Sequence, residues 1–127
     1  MAREQNTRVG KRVLVVEDEV MIRLLLCDML ADLGHTVAGE AGRIDDAVTL
    51  AKQGEFDVAI LDVNLDGEPI SPVVEILVTC GLPFVFATGY GQGGVPEPYR
   101  HAPTLQKPFQ SDALAQAIEA AAPRARV

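Results

Sequence analysis

Short apolar runs alternate with longer amphipathic stretches along most of the chain. The short runs predict five strands, at 12–16, 35–40, 57–61, 83–88 and 104–106. The longer stretches predict helices at 21–33, 43–54, 69–79 and 111–122. Strand and helix therefore follow each other in turn, with short connections between them.

The helices are predicted from side-chain spacing and from the residues at their ends. The apolar residues that recur at helical intervals in the first helix are Ile22, Leu25, Leu26, Met29 and Leu33. Gly34 closes that pattern, as glycine commonly does after a helix. The apolar residues on one face of the second helix are Ile44, Ala47, Val48 and Ala51. Proline is tolerated in a first helical turn, so Pro69 and Pro72 suit the opening of the third.

The alternation predicts an α/β fold, a doubly wound parallel sheet of five strands with helices on both faces. The strand at 57–61 is apolar throughout, as expected of a strand buried on both faces. Residues 89–103 break the rhythm, because they carry four glycines and three prolines where the fold requires its fourth helix. An interior glycine costs about 1 kcal/mol and an interior proline about 3 kcal/mol relative to alanine. We therefore expect that helix to be shortened or disordered.

Chain length and net charge limit the number of domains and the kinds of partner to be expected. The 127 residues fit one domain, which we expect at 12–122, between a flexible N-terminal tail (1–11) and a short C-terminal tail (123–127). The formal net charge of −7 argues against nucleic-acid partners, because phosphates would be repelled. No apolar run reaches the length of a membrane span, and the basic start lacks the apolar segment of a signal peptide.

The two cysteines, Cys27 and Cys80, stand far apart in the sequence. They lack the C-x-x-C spacing of a zinc site and do not form a disulfide framework. Together with the missing signal peptide, this predicts buried, reduced thiols in a cytoplasmic protein.

Polar side chains stand at the carboxyl ends of four predicted strands. In an open parallel sheet these ends share one edge, and ligands bind where the strand order reverses. With the order 2-1-3-4-5, the first and third strands flank that point. The residues expected to converge there are Glu17, Asp18, Asp62, Thr88 and Lys107.

Three carboxylates this close together repel one another unless a cation lies between them. A hard cation with oxygen ligands, such as Mg²⁺, meets this need. We expect it to bind Asp18 and Asp62 directly, Glu17 through water, and the backbone carbonyl of Asn64. Since Mg²⁺ usually keeps open or water-filled positions, the site suits a phosphoryl group.

The same edge predicts phosphoryl chemistry at one residue. Asp62 can act as a nucleophile toward phosphorus and form an acyl phosphate. Lys107 and the Thr88 hydroxyl would bind the phosphoryl oxygens and stabilise the charge that develops on them.

Four short motifs, in order and at strand ends, resemble the receiver domain of bacterial response regulators over residues 12–122. They are "LVVEDE" with Glu17 and Asp18, "AILDVNLDG" with Asp62, "FATG" with Thr88, and "QKPF" with Lys107. The resemblance implies a flavodoxin-like fold, Asp62 as the phosphoacceptor and a cis peptide bond between Lys107 and Pro108. It implies a signalling domain that catalyses only its own phosphotransfer and autodephosphorylation.

The resemblance also implies partners. "FATGYG" and its Gly/Pro-rich continuation are similar to the stand-alone FATGUY receivers, whose partners are often HWE-type sensor kinases. We expect a monomer that acts in a stress response through protein contacts. Its phosphoryl donor would be a sensor histidine kinase or a histidine phosphotransfer protein. The sequence leaves open a terminal regulator, a relay intermediate, a phosphate sink, or a pseudo-receiver that binds partners without phosphorylation.

The output switch is expected to differ from that of most receivers. Leu105 stands where most of them place a switch aromatic. Tyr90 lies two residues after Thr88, between Gly89 and Gly91, so we expect it to be the aromatic element of a segment that orders on phosphorylation. The alternative is a passive loop with Tyr90 at its surface.

The stretch from Asp62 to Gly67 also spells the opening of a calcium loop, D-x-N-x-D-G. That loop requires a bidentate glutamate at its twelfth position, which is Val73 here. We therefore expect no calcium loop and interpret Asp66 and Gly67 as a turn.

Overall fold

The computed structural model describes residues 10–89, 95 and 102–121. Its strands are β1 (Arg12–Val16), β2 (Thr36–Ala41), β3 (Val58–Asp62), β4 (Asn64–Leu65), β5 (Glu68–Pro69), β6 (Phe84–Thr88) and β7 (Thr104–Gln106). Its helices are α1 (Val20–Asp32), α2 (Ile44–Gln53), α3 (Ser71–Cys80) and α4 (Ser111–Ala121). The predicted strands and helices are all present, with ends within two residues of those expected from the sequence.

The main sheet has five parallel strands in the order β2-β1-β3-β6-β7. Strands β4 and β5 form a separate antiparallel pair. With that pair set aside, the order along the sheet is the predicted 2-1-3-4-5. The doubly wound α/β prediction is therefore confirmed, and the order reverses between β1 and β3.

Two hydrophobic cores cover the two faces of this sheet. One core packs β-strand residues such as Leu61 and Phe86 against α2 and α3. The other packs the alternate strand residues, such as Ile60 and Val85, against α1 and α4. Every residue of β3 is buried, which agrees with the prediction that this strand is covered on both sides.

Helix α1 presents a narrower buried face than its sequence predicts. Leu26 and Leu30 are its fully buried residues, and Leu30 was not among the residues predicted from the spacing. Leu25, which recurs at the same helical spacing, is 48% exposed. The helix is apolar over more of its circumference than the core uses, so periodicity alone does not locate the buried stripe. Gly34, at φ 90°, lies just past the end of the helix, as predicted.

The third helix begins later than expected. Pro69 lies in β5 and α3 starts at Ser71, so only Pro72 belongs to the first turn. Asp66 and Gly67 join β4 to β5 with φ angles of 53° and 85°. A two-residue turn with both φ angles positive matches the right-handed twist of a hairpin and favours Asp-Gly. The predicted turn is therefore present, within a hairpin that the sequence analysis did not foresee.

Several expectations fall on parts of the chain that are not described. Tyr90 and most of the predicted break at 89–103 lie outside the described residues, as do most of both predicted tails. Among the described residues both cysteines are free, but Cys27 is only half-buried and Cys80 is exposed, so the prediction that the thiols are buried is wrong. No described helix is long and apolar enough to cross a membrane.

Candidate acidic site at the carboxyl edge of the sheet

The acidic residues lie at the ends of the two central strands. Strand β1 ends at Val16, and its neighbour across the ladder is Leu61 of β3. Glu17 and Asp62 each follow this pair by one residue, so they stand side by side. Both are buried, with 1% and 7% of their surface exposed. The fold therefore places two carboxylates next to each other where the strand order reverses.

Lys107 links these two carboxylates. It follows β7, and its Nζ lies 2.9 Å from Glu17 Oε1 and 3.3 Å from Asp62 Oδ2. Its backbone N–H donates to the carbonyl of Thr88 at 2.9 Å, which fixes the start of the loop that follows β7. One ammonium thus contacts both buried acids from the end of β7, two strands beyond β3 in the sheet.

Asp18 is held by the β4–β5 hairpin. Its Oδ2 accepts a hydrogen bond from the N–H of Asp66 at 3.0 Å. Asn64 Oδ1 accepts the N–H of Gly67 at 2.9 Å, which closes the turn. The hairpin, which follows directly on β3, therefore supports the acid that follows β1.

The ligand atoms of Glu17, Asp18 and Asp62 lie within 4.8 Å of one another, a group that could hold a metal ion. Carboxylate oxygens are the ligands that Mg²⁺ prefers. Asn64, whose carbonyl the sequence offers as a further ligand, lies in β4, two residues after Asp62. The donor set therefore fits a hard divalent cation.

The electrostatics of Asp62 reflect its crowded position. Burial and then the charge of Glu17 raise its pKa, while Lys107 and the N–H of Asn64 lower it; the resulting pKa is about 6. Burial disfavours the charged form of Lys107, but its hydrogen bond to Glu17 and the charge of Asp62 outweigh that effect and raise its pKa. The lysine is therefore a permanent cation that partly offsets two acids.

The other predicted site residues occupy the same edge. Thr88 is fully buried at the end of β6, one residue past Ala87, the ladder neighbour of Asp62. The peptide bond between Lys107 and Pro108 is cis, as the resemblance implies. Leu105 is buried in β7.

Arg23 is a contact of the site that sequence reasoning missed. Its Nη1 donates to the backbone carbonyl of Glu17 at 2.7 Å. Its Nε lies 3.3 Å from Glu40 Oε1 on the edge strand β2. The available signal was an arginine in the otherwise apolar first two turns of the helix, close after the acidic residues.

A parallel sheet in this order, with acids and a lysine at its switch point, is the arrangement that the receiver resemblance implied. The chain belongs to the response regulator receiver domain family, whose sequence model matches residues 13–93. Domains of this family are signalling domains rather than typical enzymes. Receiver domains generally bind Mg²⁺ at an acidic pocket such as the one formed by Glu17, Asp18 and Asp62.

The chain is similar to several characterised proteins. Transcriptional regulatory protein PdtaR of Mycobacterium tuberculosis is 37% identical over 129 residues, which cover 97% of this chain and 62% of PdtaR. The chain thus spans less than two thirds of that relative. The solution structure of SdrG from Sphingomonas melonis is 42% identical, with a TM-score of 0.79, and the match covers 88% of this chain and 96% of SdrG. The PhyR receiver domain of Erythrobacter litoralis is 30% identical, with a TM-score of 0.74, covering 94% of this chain and 99% of that domain.

Proposed function

We propose that this protein is a phosphorylatable response regulator and that Asp62 is its phosphoacceptor. A carboxylate oxygen of Asp62 attacks the phosphorus of a phosphohistidine. As the new oxygen–phosphorus bond forms, the bond to the histidine nitrogen breaks and the imidazole leaves with the electron pair. The observation that carries this proposal is the contact of Lys107 with both Asp62 and Glu17 at the switch point.

Side chains of this protein would stabilise the negative charge that develops on the phosphoryl oxygens during the transfer. Lys107 Nζ already lies 3.3 Å from Asp62 Oδ2, close enough to hydrogen-bond an oxygen on a phosphoryl group attached there. The Asn64 N–H donates to Asp62 Oδ1 at 3.4 Å, so the other carboxylate oxygen, Oδ2, is the one that faces Lys107. We propose that the hydroxyl of Thr88 is a second group that binds the phosphoryl oxygens.

Magnesium is the cofactor that this acidic pocket suits. Glu17, Asp18, Asp62 and the carbonyl of Asn64 would hold it, and when bound it would neutralise the carboxylates and the phosphoryl oxygens. Without a cation, the approach of a phosphoryl group to three acids and one lysine would be electrostatically unfavourable.

The surface beside the site supports a protein donor. Val20, Met21, Leu24 and Leu25 of α1 are each about half exposed or more and follow directly on the acidic residues. A pocket of about 270 Å³ beside them is lined by Ile22, Leu25, Lys107, Pro108 and Phe109. Contiguous exposed apolar surface marks protein contact sites. We therefore propose a sensor histidine kinase, of the HWE type in the FATGUY interpretation, or a histidine phosphotransfer protein as donor.

The relatives support the same function. SdrG also has a solution structure in a BeF₃-activated conformation, which is 43% identical to this chain over 86% of its length. The proposal also includes a role in a stress response, a cytoplasmic location, a monomeric state and a switch at Tyr90. It further divides the chain into one domain at 12–122 and two tails.

The test is phosphorylation, with an aspartate at the opposite end of β3 as the control. Wild-type protein, Asp62→Asn and Asp57→Asn are incubated with Mg²⁺ and radiolabelled acetyl phosphate, and with a phosphorylated histidine kinase of the same cell. Asp57 precedes β3 and lies at its other end, paired with Arg12. We expect wild type and Asp57→Asn to be labelled and Asp62→Asn to lose at least nine tenths of the label, because Asn cannot act as the nucleophile.

Two outcomes would contradict the proposal in different ways. A labelled Asp62→Asn variant would place the phosphoryl group on another residue. A wild type that both donors leave unlabelled, while it still binds the kinase, would instead favour the pseudo-receiver.

A further inference from the structure

Arg23 connects three parts of the chain beside the acidic pocket. It belongs to α1, it donates from Nη1 to the carbonyl of Glu17 at 2.7 Å, and its Nε lies 3.3 Å from Glu40 Oε1. Only 20% of its side chain is exposed. A half-buried guanidinium with a short hydrogen bond and an ionic partner is held in one orientation, because its planar donors are pre-organised.

The carbonyl that Arg23 contacts belongs to the peptide between Glu17 and Asp18. That peptide carries two of the three carboxylates in the pocket. The peptides on either side of it are also held: the Glu17 N–H donates to the carbonyl of Ala41 at 2.9 Å, and the Glu19 N–H donates to Glu17 Oε2 at 3.1 Å. A shift of this peptide as a whole would move the Cα atoms of both acids and with them both carboxylates, and Arg23 is the charged donor that opposes such a shift.

Gly42 leaves the room that the guanidinium occupies. A Cβ at residue 42 would lie 2.7 Å from Arg23 Nη1 and 3.6 Å from the carbonyl oxygen of Glu17. Contact at 2.7 Å is too close for carbon and nitrogen, so any side chain at this position would displace the end of Arg23. The backbone of Gly42 does not have a positive φ, so space rather than conformation requires glycine here.

We propose that Arg23, held by Glu40 and given room by Gly42, is a positioning residue for the acidic pair Glu17 and Asp18. It fixes the peptide between them and so sets the direction of the carboxylates toward the cation. The inference rests on the proposed function, because it concerns the site at which Mg²⁺ would bind. It also makes the edge strand β2, through Glu40, part of the support of the site.

Removing the Arg23 side chain should lower the affinity for Mg²⁺ while the protein stays folded. Removing a partner that orients metal ligands typically weakens metal binding by about 10- to 100-fold. We expect Arg23→Ala to weaken Mg²⁺ binding by about tenfold, measured by NMR titration of the metal-free protein. Arg23→Lys should recover part of the affinity, because an ammonium can reach one of the two partners but cannot match the planar fork.

A double-mutant cycle tests whether Gly42 acts through Arg23. Gly42→Ala should weaken Mg²⁺ binding about as much as Arg23→Ala, and the double variant should be no worse than either one alone. Arg12→Ala is the matched control, because Arg12 also pairs with a carboxylate but at the other end of β1. We expect it to leave Mg²⁺ affinity unchanged.

A second readout needs no metal. The ¹³C chemical shift of the Glu17 carbonyl reports the hydrogen bond that it accepts, and it should move in Arg23→Ala and Gly42→Ala but not in Arg12→Ala. An unchanged Mg²⁺ affinity and carbonyl shift in Arg23→Ala would overturn the inference and leave the proposed function standing. Additive losses in the cycle would overturn the role of Gly42. A wild type that binds no Mg²⁺ would overturn the cation site, and the positioning role with it.

Discussion

At Asp62, two opposing influences act on the pKa and do not cancel. Burial and the Glu17 carboxylate favour the neutral acid, whereas Lys107 favours the carboxylate. A free aspartate has a pKa near 3.8, and the folded protein raises that pKa to about 6. Folding therefore binds this proton more tightly, and the ionised group destabilises the fold. Strongly shifted pKa values of this kind are frequent at functional sites.

The first consequence concerns stability and pH in the absence of metal. The cost is absent below the unfolded pKa near 3.8, grows as pH rises, and is fully present above the folded pKa of about 6. Asp62→Asn should therefore raise the free energy of unfolding by about 1–3 kcal/mol at pH 7.5 and by almost nothing at pH 4. Urea denaturation in EDTA at both pH values measures this. An equal gain at both pH values would assign the effect to packing rather than charge.

At the scale of elements, the β4–β5 hairpin has the most direct bearing on the site. The turn that closes it supplies the N–H that Asp18 accepts, and the conformation of that turn depends on Gly67 at φ 85°. A Cβ at Gly67 would meet no atom of the described residues within 4 Å, so the cost expected of alanine there is backbone strain.

Gly67→Ala should therefore lower the free energy of unfolding by about 1 kcal/mol, the usual cost of the left-handed conformation for a residue with a Cβ. Gly89→Ala is the matched control, because no atom of the described residues would lie within 4 Å of a Cβ at Gly89 either, and Gly89 lacks the positive φ of Gly67. Chemical denaturation of the two variants compares them. Equal losses in both would mean that backbone conformation at the turn is not the cause.

The same hairpin illustrates which elements the sequence predicts. The five sheet strands and the residues at their ends could be placed because buried runs and period-3.6 stretches are long enough to be recognised. Strands of two residues have no such period, and Pro69 fits a helix start as well as a hairpin. The Asp66-Gly67 pair predicted the turn but not the two short strands that the turn connects. The contact of Arg23 with Glu40 could not be predicted, because it joins a helix to an edge strand through side-chain reach.

At the scale of the whole molecule, the acidic site lies at the switch point of the sheet. From β1 the chain passes through α1 to β2, and from β3 it passes through α3 to β6, so the two crossovers leave the switch point on opposite faces of the sheet. Both cores therefore border the acidic residues. A cation bound there should stabilise the fold as a unit, since it binds the folded chain and not the separated acids.

We expect Mg²⁺ to raise the melting temperature of wild type in a concentration-dependent way, and Asp18→Asn to lose that response. The physical reason is linkage, by which binding adds RT ln(1 + [Mg²⁺]/Kd) to stability. The net charge of −7 means that any salt will screen some repulsion, so NaCl at equal ionic strength is the control. Calorimetry measures both. Identical responses to the two salts would argue against a specific cation site.

The contact of Lys107 with the two buried acids joins distant parts of the chain, since Lys107 stands 45 positions after Asp62. A ribosome makes Glu17, Asp18 and Asp62 long before it makes their lysine, and chains begin to fold from the N-terminal side during synthesis. An emerging chain would therefore carry the acids of the site without the cation that partly offsets them. A chain that stops at Gln106 would have all five strands of the sheet and none of this compensation.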